Sequence, residues 1–390
     1  MYQFKTWARC RHGAMAAVLS ALFAASSAAA FQVLPKVSDV DRKISSLGSN
    51  PVLDYVGHWF VGKAIPIMKS PVHESITLAA IGCRADRGSE YDCVTIDAVR
   101  EHRILLYGVR WPDDPPFLLN TKSPPRLKGC DVRVTLRSTS QPLCWWGLFQ
   151  DAGAQAKAKS QARAPAFGPG DYLLYRSHYG DLQFMHAMGA YDGETAGETV
   201  DRMKMWAEFL WGVASGTTPT GVLIRDLGHP ELASYFPGDI TAMNLFATGI
   251  VEVRKDLDKV AMGALLHMVQ DSFSQAHAER GQETGAQCGH TGFDKPGQIE
   301  RFRSYAKQSS ALHDEADTPD ALSLHSMQIS PSAVDVSRAF LTMWNEKRSW
   351  VEVGAFFDCV FEPRDRLVEA DAGPYVPVPR VRTSVDFSPQ

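Results

Sequence analysis

The sequence predicts an all-α domain, and three observations carry that expectation. Apolar residues recur at helical spacing, most clearly over 199–214, where Val200, Met203, Trp206, Phe209, Leu210 and Val213 fall on one side. No internal repeat, coiled-coil heptad or parallel βαβ series is present. Third, the segment holding Val260, Ala261, Met262, Ala264, Leu265, Leu266, Met268 and Val269 is apolar almost all round and must be a buried helix. With 390 residues, 45% of them hydrophobic, the chain can bury a sizeable core in one large domain or two small ones.

In chain order, residues 1–30 read as a cleaved leader. Lys5, Arg9 and Arg11 precede a short apolar run, and Ala28-Ala29-Ala30 offers a small-residue cleavage site before Phe31. The run is too short to span a bilayer, so no transmembrane segment is expected after cleavage, and the mature chain is expected to be secreted or periplasmic. Residues 31–70 form an N-terminal arm or pro-segment. A domain over 71–360 follows, opening with a helix at 71–81. A second helix over 98–109 leads into Trp111-Pro-Asp-Asp-Pro-Pro116, where the prolines stop the helix and fix the aspartates in a turn. Residues 117–170, rich in Pro, Gly and Ala, read as a disulfide-containing insertion with one β-like patch at 132–136. Further helices are expected over 199–214, 240–274 (one or two long helices), 297–313 and 330–344. Residues 361–390 are expected to be an extended tail.

Cysteine usage fits export. Cys10 leaves with the leader, and an even set remains: Cys83, Cys93, Cys130, Cys144, Cys288 and Cys359. Short loops favour Cys83 with Cys93 and Cys130 with Cys144, which leaves Cys288 with Cys359. None stands in a CxxC pair, so thiolate ligation of zinc is not expected. The formal charge of −4 becomes more negative once the leader takes its basic residues away. That excludes a groove dedicated to duplex nucleic acid but not an anionic substrate, because a bound metal would dominate the local field.

The chemistry centres on the buried helix. His267 and Asp271 lie four residues apart, on one face. A buried carboxylate is costly unless paired, and no Lys or Arg lies in the run. A His–Asp hydrogen bond would pair it, and so would a divalent metal. His277 follows six residues after Asp271. Two more HxxxD pairs lie downstream, His290 with Asp294 and His313 with Asp317. His73, Asp113, His178 and His186 lie upstream. So many His and Asp residues without free thiols suit two to three Zn2+ ions held by nitrogen and oxygen donors. Neighbouring metals can clamp a phosphoryl displacement.

His267-x-x-x-Asp271-x-x-x-x-x-His277 resembles the signature of the zinc-dependent phospholipase C family, shared with the fungal single-strand-specific zinc nucleases. Other positions match in order. His73 resembles the family's early His, and Trp111-Pro-Asp113 its Trp-x-Asp. His178-Tyr-Gly-Asp181 resembles its His-aromatic-x-Asp, and a late HxxxD closes the set. The resemblance implies a multi-helix, all-α, exported phosphodiesterase. Asp113, His178, His267 and Asp271 would hold one zinc, and His277 with His313 and Asp317 a second. Asp271 and His73 would contribute to a third. It also implies hydroxide attack on phosphorus, with Asp113 as the catalytic residue that orients or deprotonates the water. Two choices stay open. His186 competes with His178, which is preferred for its motif context. His290 and Asp294 compete with His313 and Asp317, which are preferred for the regular spacing Ile299-x-x-Phe302-x-x-Tyr305-x-x-Gln308 before them. The family's N-terminal Trp has no counterpart near His73; the closest is Trp59. His58, His102, His229 and His325 read as structural or surface residues.

The expected partner is phospholipid at a membrane surface. Trp145, Trp146, Phe149, Phe117, Leu118 and Leu119 would form an apolar rim, or alternatively pack locally around the insertion. Tyr179 could stack a base, but no basic track accompanies it. The expected activity is therefore hydrolysis of phosphatidylcholine or phosphatidylethanolamine to diacylglycerol and phosphorylated head group. The alternatives are a single-strand nuclease and an exported metal-binding protein without turnover.

Overall fold

The structure, a computed structural model, describes residues 72–82, 96–119, 133–134, 142–159, 163–282, 285–289, 292–317 and 330–376. The expected leader, the arm, Trp59 and His290 lie outside them.

Helices dominate. In order they are α1 (Val72–Ile81), α2 (Ile96–Glu101), α3 (Arg103–Arg110), α4 (Pro142–Lys159) and α5 (Leu173–Tyr179). Next come α6 (Ala196–Ala214), α7 (Pro230–Tyr235), α8 (Ala242–Ala247) and α9 (Leu257–Asp271). The last three are α10 (Ser310–Ala316), α11 (Ala333–Asn345) and α12 (Trp350–Phe361). Among the described residues there are also two short antiparallel pairs: β1 (Phe117–Leu118) with β2 (Arg133–Val134), and β3 (Ala278–Arg280) with β4 (Ile299–Phe302). No helix among the described residues is long and apolar enough to cross a membrane.

The apolar helix is α9, and it is the centre of the molecule. It packs against α1, α3, α6 and α11, which explains why its residues are buried on every side. Its closest neighbour is α3. A Cβ on Gly263 would stand 2.3 Å from Leu105 O, and one on Gly108 would stand 2.2 Å from Val260 O. These two glycines let the backbones touch, which brings the Val109 carbonyl onto His267. The long helix α6 begins at a capping box, Thr195 with Glu198, and α12 at another, Ser349 with Glu352.

Several expected elements differ. The helix foreseen over 98–109 is divided into α2 and α3, which meet at His102. The 240–274 stretch holds two helices, one of the two expected outcomes, but α8 is short, and a 3-10 turn at Val251–Val253 separates it from α9. The helix foreseen over 297–313 is absent. Ile299 and Phe302 are buried as expected, but the main chain there pairs with β3, Ala278 opposite Phe302, and the helix begins only at Ser310. The three-residue spacing points to a helical face, and pairing with β3, about twenty residues earlier in the chain, overrides that local signal.

Within the stretch read as an insertion, α4 buries Trp145, Leu148, Phe149, Ala152 and Ala156 in a smaller core with Phe167, Tyr175, Tyr179 and Tyr305. Helix α12 was not foreseen, although Val353, Phe356, Phe357 and Val360 carry the helical period. At the start of the expected tail, residues 362–376 lie across the domain. Ala370 N donates to Glu194 O (2.7 Å), and Ser304 N donates to Asp371 O (2.9 Å). Cys288 and Cys359 form a disulfide. The pairings expected for Cys83, Cys93, Cys130 and Cys144 fall outside the described side chains.

Candidate metal centre

Nine side chains converge at the C-terminal end of α9. His267 and Asp271 belong to α9 itself, and His73 comes from the first turn of α1. Asp113 lies in the turn after α3, His178 on α5, and His186 on the 3-10 turn Gln183–His186. His277 precedes β3, His313 lies on α10, and Asp317 follows it. All nine are buried, none more than 4% exposed. They form three groups that could each hold a metal ion: His73, His267 and Asp271; Asp113, His178 and His186; His277, His313 and Asp317. Within each group the candidate ligand atoms lie within 4.8 Å of one another.

Asp271 is ringed by imidazoles. Its Oδ1 stands 3.3 Å from His73 Nε2. Its Oδ2 stands 2.9 Å from His186 Nδ1, 3.0 Å from His267 Nε2 and 3.7 Å from His277 Nδ1. Burial works against its charge, yet the imidazoles around it, His267 and His277 foremost, would in protonated form hold its carboxyl well below the usual range. Asp113 behaves oppositely. Burial first, then the charge of Asp271, raises it well above that range. Neither of its oxygens makes a hydrogen bond among the described residues. Its Oδ1 lies 3.8 Å from both His186 Nδ1 and His267 Nε2.

The imidazole tautomers show what these contacts require. His267 Nδ1 lies 2.8 Å from the Val109 carbonyl, His277 Nδ1 2.7 Å from the His186 carbonyl, and His178 Nδ1 3.1 Å from the Leu174 carbonyl. A carbonyl oxygen can only accept, so each Nδ1 carries the proton and, in the neutral ring, each Nε2 presents a lone pair. Burial lowers His267 to about 3, so its ring is neutral. Its bare Nε2 therefore faces the Asp271 carboxylate at 3.0 Å, acceptor against acceptor. His313 repeats the arrangement. Its Nδ1 lies 2.6 Å from Gln308 Oε1, its Nε2 lies 2.9 Å from Asp317 Oδ2, and burial lowers its pKa. Two acceptors at that distance repel unless a cation is held between them. The nitrogen and carboxylate donors fit a divalent metal, and their second nitrogens are held as ligating imidazoles require. His277 alone is raised, to about 9: burial opposes its charge, but Asp271 and Asp317 outweigh burial.

All eight residues expected as ligands are therefore brought together, and His186 joins them. His186, the competitor of His178, stands closer to Asp271 and His267, while the His178 ring lies 5.2 Å from it. Asp181, matched to the same motif, is turned away into an ion pair with Arg176 (2.7 Å). Of the alternative late pair, Asp294 is exposed and bridged to Gln287, apart from the three groups.

The expected apolar rim is not a rim. Trp145, Phe149 and Phe117 are buried, and Phe149 meets the His178 ring edge-on at 5.0 Å; among the described side chains of this set Leu119 is half-buried and Leu118 largely exposed, and Trp146 lies outside them. Trp145 and Phe149 pack locally because α4 gives them a helical face to bury, and Phe117 on β1 joins the same small core. Tyr179 is buried too, so it offers no platform for a base. Sequence reasoning missed Gln270, whose Oε1 lies 2.7 Å from His73 Nδ1, and the hydrogen-bonding role of Gln308. It also missed the buried ion pair of Glu74 with Arg110, beneath Asp113. Adjacency to a ligand was the one available signal for Gln270. No family model, curated protein or solved structure matches the chain.

Proposed function

We propose that the protein is an exported zinc-dependent phosphodiesterase of the phospholipase C kind. Its substrates are phosphatidylcholine or phosphatidylethanolamine, and its products diacylglycerol and the phosphorylated head group. The observation that carries the metal reading is the acceptor-against-acceptor contact of His267 with Asp271 and of His313 with Asp317. In these two contacts a neutral imidazole lone pair faces a carboxylate, and a cation between them relieves the repulsion. Nitrogen and oxygen donors without thiolate suit zinc, and the order of His73, Asp113, His267, Asp271, His277, His313 and Asp317 along the chain supports the phosphodiesterase reading. Zinc bound there supplies Lewis acidity and a water acidic enough to attack phosphorus near neutral pH. Asp113, with both oxygens uncommitted to hydrogen bonds, would be the residue to orient such a water and accept its proton. Phospholipid is preferred over nucleic acid because the chain is acidic and Tyr179 is buried.

A second reading is favoured by one observation. The cavity lined by His178, His186, Met188, His277, Tyr305 and His313 measures about 10 Å3, room for one water-sized molecule and not for a head group. On this reading the protein binds metal without turnover.

Metal analysis of the mature protein, paired with head-group release from mixed phosphatidylcholine and phosphatidylethanolamine vesicles, separates these readings. Two to three zinc per chain with release that is lost in Asp113→Asn supports the phospholipase. Zinc with cleavage of single-stranded DNA in place of release favours a nuclease, and zinc with neither favours the non-catalytic reading. No bound transition metal after zinc resupply removes the metal reading altogether.

A further inference from the structure

We propose that Gln270 and Gln308 are positioning residues that lock the tautomers of His73 and His313, and thereby decide whether those two histidines can ligate a metal ion. The proposal rests on the metal-binding reading above. His267, His277 and His178 are oriented by backbone carbonyls, which no substitution removes. His73 and His313 are oriented by glutamine side chains, both buried.

The orientation of each amide follows from its other contacts. Gln308 Nε2 lies 2.9 Å from Ala276 O and 3.3 Å from Ala372 O. Both are carbonyls and can only accept, so the NH2 group must point at them and Oε1 must point at His313. Nδ1 of His313 then has to donate, and Nε2 is left with its lone pair toward Asp317. A flipped amide would place NH2 against Nδ1, move the ring proton to Nε2 and block ligation. Gln270 works in the same way, with a softer anchor. Its Nε2 donates to Thr77 Oγ1 (2.9 Å), while Oε1 meets His73 Nδ1 (2.7 Å). Thr77 and His73 are one helical turn apart on α1, so one glutamine of α9 grips both. The Thr77 hydroxyl can accept or donate, whereas the Gln308 anchors cannot.

This difference sets the test. Gln→Met keeps the volume and removes the acceptor. Gln270→Glu keeps an acceptor for His73, because the Thr77 hydroxyl can turn to donate to it. Gln308→Glu sets a carboxylate oxygen against two carbonyls and does not. Each variant of the full chain is titrated with zinc against a chromogenic chelator. Imidazole 15N spectra of selectively labelled His report the tautomers in the metal-free state.

We expect Gln308→Met to weaken one zinc about 10- to 100-fold and leave the others unchanged, with His313 losing its single Nδ1–H form. Gln308→Glu should behave similarly. Gln270→Met should weaken a different zinc, and Gln270→Glu should restore it. A purely structural role would weaken all ions together and leave the tautomers as they are, and that result overturns the proposal. So does wild-type affinity in both Met variants. Wild-type protein that binds no zinc would sink the metal reading instead, and the His313 spectrum of Gln308→Met would still report whether the glutamine sets the tautomer.

Discussion

Asp271 shows how much of a site one residue can carry and how little of that the chain announces. Its four-residue spacing from His267 marks a shared helical face, and the lack of Lys or Arg nearby marks an unpaired charge. Both are legible without coordinates. What is not legible is that His73 and His186 also reach it, because those contacts span most of the domain. For the same reason local motif context ranked His178 above His186, whereas distance ranks them the other way. His277 leads to a test at this scale. Without metal its pKa stands at about 9, so near neutral pH it holds a proton that a metal ion would have to displace. Affinity at its group should therefore rise ~tenfold per pH unit up to about pH 9. Loading at pH 7 should release about one proton at this ring, seen by calorimetry in buffers of different ionisation enthalpy. An affinity flat across pH 6–8 would remove His277 from the ligand set.

At the scale of elements, α6 and α9 were readable because burial on one side, or on all sides, prints a period into the sequence. Strand β4 was not, because the partner that makes it a strand, β3, lies outside the local window. Helix α4 was passed over for its Gly and Ala content, although Ala is the strongest helix former and Trp145, Leu148, Phe149 and Ala152 keep the period. The contact of α3 with α9 yields the sharpest prediction. Gly263→Ala puts a methyl into the Leu105 carbonyl and must push the helices apart. We expect a loss of about 3 kcal/mol in urea unfolding, and weaker metal binding as Val109 O leaves His267. Gly221→Ala, with nothing within 4 Å of the new methyl, should stay within about 0.5 kcal/mol of wild type. Equal effects of the two substitutions would mean that the helix contact is not the constraint.

For the whole molecule, composition and the helical periods foretold a mostly helical chain, and the short-loop pairing expected of the other four cysteines left Cys288 with Cys359. That bond spans a sequence separation of 71 residues and ties the loop before β4 to α12. Replacing both cysteines with Ala should cost about 4 kcal/mol by loop entropy, measured by denaturant unfolding with metal content held equal. An unchanged midpoint would show that the C-terminal helices hold that corner without it. The ligand groups have a consequence for the order of events in folding. His186 and Asp271 stand 85 residues apart in the chain, and His73 stands 197 from the glutamine that orients it. No short fragment contains a complete group, so an ion has nothing to grip until long loops have closed. An ion bound there would therefore arrive as a late clasp and not as a nucleus. Added during refolding, it should leave the rate of chain collapse nearly untouched; once seated, it should slow the escape from the native state, so that the holo protein persists by reluctance to open.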